Sequence, residues 1–210
     1  MKTQISSLLL LGFSSIAMAQ SSQIREANKL YKEGKFDEAV ALYEEALRKN
    51  PGDLTAMYNR SNALAKKGDK AAAMEGYEQI IREGKDPRLV EKAYYDKGVL
   101  HQQQQQLDES IAAWMESLKM DPDDKEAREN LQKALREKKE KEQKEDKEKE
   151  DKEKDKEKEK DKDKEKKPQQ SKLNKKQVEQ LLKALEQKEK EVQKKMQQKS
   201  GSPTRPEKDW

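Results

Sequence analysis

The chain has 210 residues, 43% of them Asp, Glu, Lys or Arg and 31% hydrophobic, so only part of it can bury a core. It has no cysteine and one histidine, which excludes disulfides, thiol catalysis and thiolate metal sites. A net charge of +4 from 47 basic and 43 acidic residues is too small a surplus to point to nucleic acid.

Residues 1–19 read as a secretory signal peptide. Lys2 is the basic start, and Ile5 to Ala17 is an apolar stretch too short to span a bilayer comfortably. Ala17 and Ala19 are the small residues of a cleavage site before Gln20. Cleavage there predicts an exported, soluble mature protein, with no transmembrane span left after cleavage. No cysteine stands at the site to carry a bacterial lipid anchor.

A repeat follows. Ala27, Gly34, Ala39, Tyr43, Ala46 and Pro51 return as Ser61, Gly68, Ala73, Tyr77 and Ile80, and again as Gly98, Gln105, Ser110, Trp114, Ser117 and Pro122. The spacing suits paired antiparallel helices. Small residues at 27, 61 and 98 let the second helix approach, those at 39, 73 and 110 match them, and Tyr43, Tyr77 and Trp114 fill the space between units. Gly34 and Gly68 suit left-handed helix ends, and Pro51 and Pro122 follow the second helices. The second unit is three residues long around Glu83–Pro87, which predicts an extended second helix or a bulged loop. This pattern resembles the tetratricopeptide repeat (TPR). The resemblance implies an all-α, right-handed array of helical hairpins with units at 20–53, 54–90 and 91–124. It also implies a scaffold that binds proteins through a groove.

Residues 125–138 predict a capping helix, with Ala127, Leu131, Ala134 and Leu135 at helical spacing. From Arg136 to Lys167 the only uncharged residue is Gln143. Such a stretch buries nothing to offset chain entropy. Residues 139–170 are therefore expected to be a spacer, disordered or drawn out as a single helix supported by Glu–Lys pairs. Residues 171–198 predict an amphipathic helix, with Asn174 and Gln177 as a capping-box-like pair and Val178, Leu181, Leu182, Leu185, Val192 and Met196 as one apolar stripe. A lone helix of this kind is marginal in water. The leading expectation is that it docks on a partner or on a copy of itself. Docking on its own repeat domain or on a membrane surface are the alternatives. Residues 199–210 are expected to be an extended tail ending in Trp210, with the aromatic as an interface anchor.

The whole layout resembles the BatC-type TPR proteins of the Bat aerotolerance system of Bacteroides-type bacteria. Asn174 to Glu186 and the terminal Glu207-Lys208-Asp209-Trp210 carry that resemblance. It implies a periplasmic adaptor in a Gram-negative envelope, beside membrane-anchored von Willebrand factor A-type Bat partners, in a system linked to oxidative-stress tolerance.

In TPR arrays the groove is lined by the first helix of each unit. The TPR resemblance places Ile24, Asn28 and Tyr31 there in the first unit, Tyr58, Asn62 and Ala65 in the second, and Tyr95, Val99 and Gln102 in the third. Asn28 and Asn62 stand where peptide-binding relatives hold a ligand's main chain or terminal carboxylate, a task that suits an amide. Ile24, Tyr95 and Val99 occupy positions where a carboxylate clamp would place basic residues. A more neutral groove, with Tyr58 and Tyr95 as flat apolar anchors, is expected instead.

His101 has no neighbouring ligand set and reads as structural. No phosphate loop, nucleophile motif or calcium loop is present in the sequence. No enzyme activity, cofactor or metal is expected. The reading is an adaptor. The alternatives are a self-assembling structural protein acting through its C-terminal helix, and a holdase-like chaperone.

Overall fold

The structure is a computed structural model. It describes residues 22–156 and 173–200, with side chains at 22–147 and 173–196. The signal-site residues Ala17, Ala19 and Gln20, and Trp210, lie outside the described residues. Among the described residues there are eight helices and no strand: α1 (residues 22–32), α2 (Phe36–Lys49), α3 (Leu54–Lys67), α4 (Lys70–Glu83), α5 (Pro87–Gln103), α6 (Leu107–Met120), α7 (Lys125–Lys156) and α8 (Lys175–Ser200). The chain divides into two compact units, the boundary falling between Ala127 and Arg128.

In the first unit, α1–α2, α3–α4 and α5–α6 are the three hairpins. Helices α2 to α6 pack in succession, α3 also meets α5, and α1 joins α2 through Asn28 and Tyr43. Ala27, Ser61 and Gly98 are buried on the first helices, and Ala39, Ala73 and Ser110 are buried on the second. With these positions small, the helices approach closely enough to enclose Tyr43, Tyr77 and Trp114, each at most 2% exposed. Gly98 shows how tight the approach is. A Cβ built there would lie 2.5 Å from Trp114 Nε1, so the largest core group is matched to the residue without a side chain.

The hairpin turns are left-handed at the same point in each unit: φ is 78° at Gly34, 101° at Gly68 and 60° at Gln105. The third unit therefore keeps the turn although it lacks the glycine, and it places a side chain where L-residues are strained. Asp53, Asp69 and Asp86 cap α3, α4 and α5 by accepting from Ala56, Ala72 and Arg88 backbone N–H groups.

The three extra residues of the second unit neither extend α4 nor bulge its loop. Helix α4 has 14 residues, like α2 and α6, whereas α5 has 17. The surplus forms an additional first turn of α5. Asp86 caps that turn and Pro87 opens it, a position where a missing N–H costs nothing.

Helix α7 runs without interruption across residue 138, where the sequence divides cap from spacer, to Lys156. Ala127, Leu131, Ala134 and Leu135 are all buried on it. Beyond them the helix lacks an apolar pattern and rests on pairs such as Lys138–Glu142, at 3.3 Å and four residues apart. Helix α8 begins with a reciprocal box. Asn174 Oδ1 accepts from Gln177 N at 3.0 Å, and Gln177 Oε1 accepts from Asn174 N at 2.9 Å.

Candidate functional site

The helices α1, α3 and α5 place a line of polar and aromatic side chains along one face of the first unit. Two clefts open there. One, of about 280 Å³, is lined by Asn28, Tyr31, Lys32, Tyr43, Asn59 and Asn62. The other, of about 170 Å³, runs from Tyr31, Tyr58 and Asn62 to Tyr77, Asp96 and Val99, with Ala65, Lys66, Leu100 and Gln103 completing it. Tyr31 and Asn62 belong to both.

One bond is repeated in the first two units. The Tyr43 hydroxyl donates to Asn28 Oδ1 at 2.5 Å, and the Tyr77 hydroxyl donates to Asn62 Oδ1 at 2.5 Å, each across 15 residues. An asparagine whose oxygen is already engaged offers its amide hydrogens, so both amides are fixed as donors. The third unit lacks this pair. Val99 stands at the asparagine position, and Trp114 sends its indole N–H to the Tyr95 carbonyl at 3.1 Å.

Other bonds cross between units. Asn59 Nδ2 donates to Asn28 Oδ1 at 3.2 Å, and the Tyr58 hydroxyl donates to Asp96 Oδ2 at 2.6 Å. Asn62 is also in side-chain hydrogen-bond contact with Tyr58. The tyrosines are held protonated. Burial pushes Tyr43 up to about 12, and burial followed by the Asp96 charge raises Tyr31, Tyr58 and Tyr77 above the ordinary phenol value. Raised above the ordinary phenol value, their hydroxyls stay protonated at neutral pH and can donate.

Asp96 is raised above the ordinary carboxylate range, first by burial and further by Glu91, against the opposing pull of the Tyr58 bond, Lys66 and Lys92. A carboxyl raised on folding binds its proton more tightly when folded. Its charge penalty is therefore absent below the unfolded value near pH 4 and complete once pH exceeds the folded value. Asp96→Asn removes that penalty. The variant is expected to melt above the parent at pH 7, with the gap closing as pH falls toward 4. A lower melting temperature at pH 7 overturns this account.

The structure sorts the residues expected from sequence. Asn28, Tyr31, Tyr58, Asn62, Ala65 and Val99 line the clefts. Ile24 and Tyr95 line neither. Ile24 packs against the core of the unit, and the Tyr95 hydroxyl lies 3.4 Å from Glu126 Oε2. Tyr58 thus lines a cleft, whereas the Tyr95 hydroxyl is turned to Glu126. Asn59 and Asp96 escaped the sequence reading. The repeat register held a signal for them, because Arg25, Asn59 and Asp96 fall at one motif position on the inward helices.

In the second unit Val178, Leu182 and Leu185 are buried, Leu181 is half-buried and Met196 is 67% exposed. Helix α8 is tied to α7 by Lys139–Glu179 at 3.2 Å and by Lys175–Asp146. The stripe expected to meet a partner or another copy is thus largely covered within the chain.

His101 Nδ1 and Gln106 Oε1 lie 2.7 Å apart, at the end of α5. Among the described residues no group of three or more metal-ligating side chains converges, and no helix is long and apolar enough to cross a membrane.

Residues 24–87 and residues 91–124 each match a tetratricopeptide repeat family. The "Hsp70-Hsp90 organizing protein 3" of Arabidopsis thaliana is 30% identical over 112 residues, covering 53% of this chain and 20% of that protein. The "Hsp70-Hsp90 organising protein" of Plasmodium falciparum is 31% identical over 119 residues, covering 56% of this chain and 46% of that protein. The chain thus spans less than half the length of these relatives. Among solved structures, the first TPR of Spaghetti (RPAP3) bound to the HSP90 peptide SRMEEVD is 25% identical, with a TM-score of 0.50 over 55% of this chain and 89% of that one. The TPR2AB-domain:pHSP90 complex of yeast Sti1 is also 25% identical, with a TM-score of 0.56 over 60% and 50%.

Proposed function

We propose, from the premise that residues 24–87 and 91–124 are tetratricopeptide repeats, that the protein is an adaptor whose cleft along α1, α3 and α5 holds a peptide segment of a partner. The observation that carries this is the pair of tyrosine-pinned amides. Asn28 and Asn62 are fixed with their oxygens occupied, and, with one Asn62 N–H turned to Tyr58, each amide keeps an N–H for the carbonyl of an extended peptide. The similar RPAP3 domain is bound to a peptide, which supports the same use of the fold.

The wider reading is an exported, periplasmic adaptor in a Bat-type envelope complex linked to oxidative-stress tolerance, with von Willebrand factor A-type proteins as partners. It rests on residues 1–19 and on the segments Asn174 to Glu186 and Glu207 to Trp210.

Affinity capture from gently solubilised envelopes tests both readings. The bait begins at Gln20 with a tag ahead of Ile24, leaving Trp210 free. Parallel baits carry Asn28→Ala with Asn62→Ala, or stop after Lys167. Recovery of a von Willebrand factor A-type protein by the parent, reduced at least tenfold by the double variant, is the expected result. Equal recovery by the double variant overturns the groove. Loss only with the shortened bait moves the contact to the C-terminal segment.

A further inference from the structure

The smaller cleft has a chemistry of its own. Asp96 is half-buried at its wall, with its carboxylate held by the Tyr58 hydroxyl at 2.6 Å. Among the described residues no lysine or arginine forms an ion pair with it. Lys66 and Lys92 act on it only through space. A carboxylate withdrawn from water without a cation is held at a cost, which a cation arriving from outside would cancel. The Tyr58 and Tyr77 rings, packed on each other with centroids 6.1 Å apart, form one aromatic wall, and Tyr31 and Lys66 also line the cleft. Aromatic faces attract cations, and their flanks cover the methylenes of a long basic side chain. At about 170 Å³ the cleft suits one side chain. It falls below the roughly 300 Å³ at which small-molecule pockets begin.

We propose that this cleft receives a lysine or arginine side chain of the bound segment, so that the groove selects a basic peptide. The Asp96 carboxylate takes the cation, Tyr58 and Tyr77 form the wall beside it, and the pinned Asn62 amide at the rim holds the peptide backbone. The inference rests on the peptide-binding reading above and adds the partner's chemical class. It also sets this groove apart from that of the RPAP3 domain, whose peptide SRMEEVD carries three acidic residues among its last four. Asp96, in the cleft wall, would repel such a sequence.

The test uses the chain from Gln20 to Trp210 and immobilised eight-residue peptides of Gly, Ser and Ala with one variable central residue, Lys, Arg, norleucine or Glu. The peptide SRMEEVD is a further arm. The expected result is at least tenfold stronger retention of the Lys and Arg peptides over the norleucine, Glu and SRMEEVD peptides. That preference should fall to within about twofold in Asp96→Asn, with the helical circular dichroism unchanged. Asp96→Glu should keep it in part. Retention independent of the central residue overturns the basic-side-chain assignment and leaves peptide binding standing. Strongest retention of SRMEEVD overturns the charge selection. Failure to retain any peptide overturns both.

Discussion

Trp114→Ala is expected to destabilise the repeat unit by about 3–5 kcal/mol, the range for emptying a buried aromatic site. Trp114 is 2% exposed, and its loss also leaves the Tyr95 carbonyl without the indole N–H. Heat or urea unfolding followed by circular dichroism reads the loss. The adjacent Gly98 makes the prediction sharper. Gly98→Ala would put a methyl 2.5 to 2.8 Å from three atoms of the rigid indole, an overlap that costs about 1–3 kcal/mol. In the Trp114→Ala background the methyl has room, and alanine is a better helix former than glycine by about 1 kcal/mol. Gly98→Ala should therefore destabilise the parent and stabilise the tryptophan-less variant. The same sign in both backgrounds would show that the indole and the glycine are not matched to each other.

The second large effect concerns the pinned amides. Asn62→Ala leaves the Tyr77 hydroxyl, on a residue 2% exposed, without the acceptor it now uses at 2.5 Å. Stranding a buried donor costs about 1–3 kcal/mol. Tyr77→Phe is milder, about 1 kcal/mol, because Asn62 lines both clefts and water can replace its lost partner. Asn62→Ala combined with Tyr77→Phe removes donor and acceptor together, so the pair should cost less than the sum of the single changes. Strict additivity in a double-mutant cycle would show that the bond contributes nothing specific. Partner affinity separates the roles further, since only the variants lacking Asn62 lose the amide donor.

Much of the first unit was legible in the sequence, because a repeat shows each packing rule more than once. Ala27, Ser61 and Gly98 had to be small, and Tyr43, Tyr77 and Trp114 had to be enclosed. What the sequence concealed depended on single long-range pairings. Asp96 looks like any solvated helix carboxylate until Tyr58, 38 residues away, is seen donating to it. Tyr95 looked equivalent to Tyr58 by register, yet its helix carries an extra turn and its hydroxyl faces Glu126. The end of α7 was also left open, since the sequence allowed either a disordered spacer or a single continued helix. Alternating Lys and Glu have no apolar period to mark where a helix ends, and just past the buried residues α7 carries the Lys138–Glu142 pair.

The bonds of the cleft are of two kinds, and the difference has a mechanical consequence. Tyr43–Asn28 and Tyr77–Asn62 close inside one hairpin, whereas Asn59–Asn28 and Tyr58–Asp96 join neighbouring hairpins. If the array were stretched or uncurled, the second kind would lengthen first and the first kind would ride along unchanged. On the peptide-binding proposal, each amide would then keep its aim while the distance between one amide and the next followed the spacing of the hairpins.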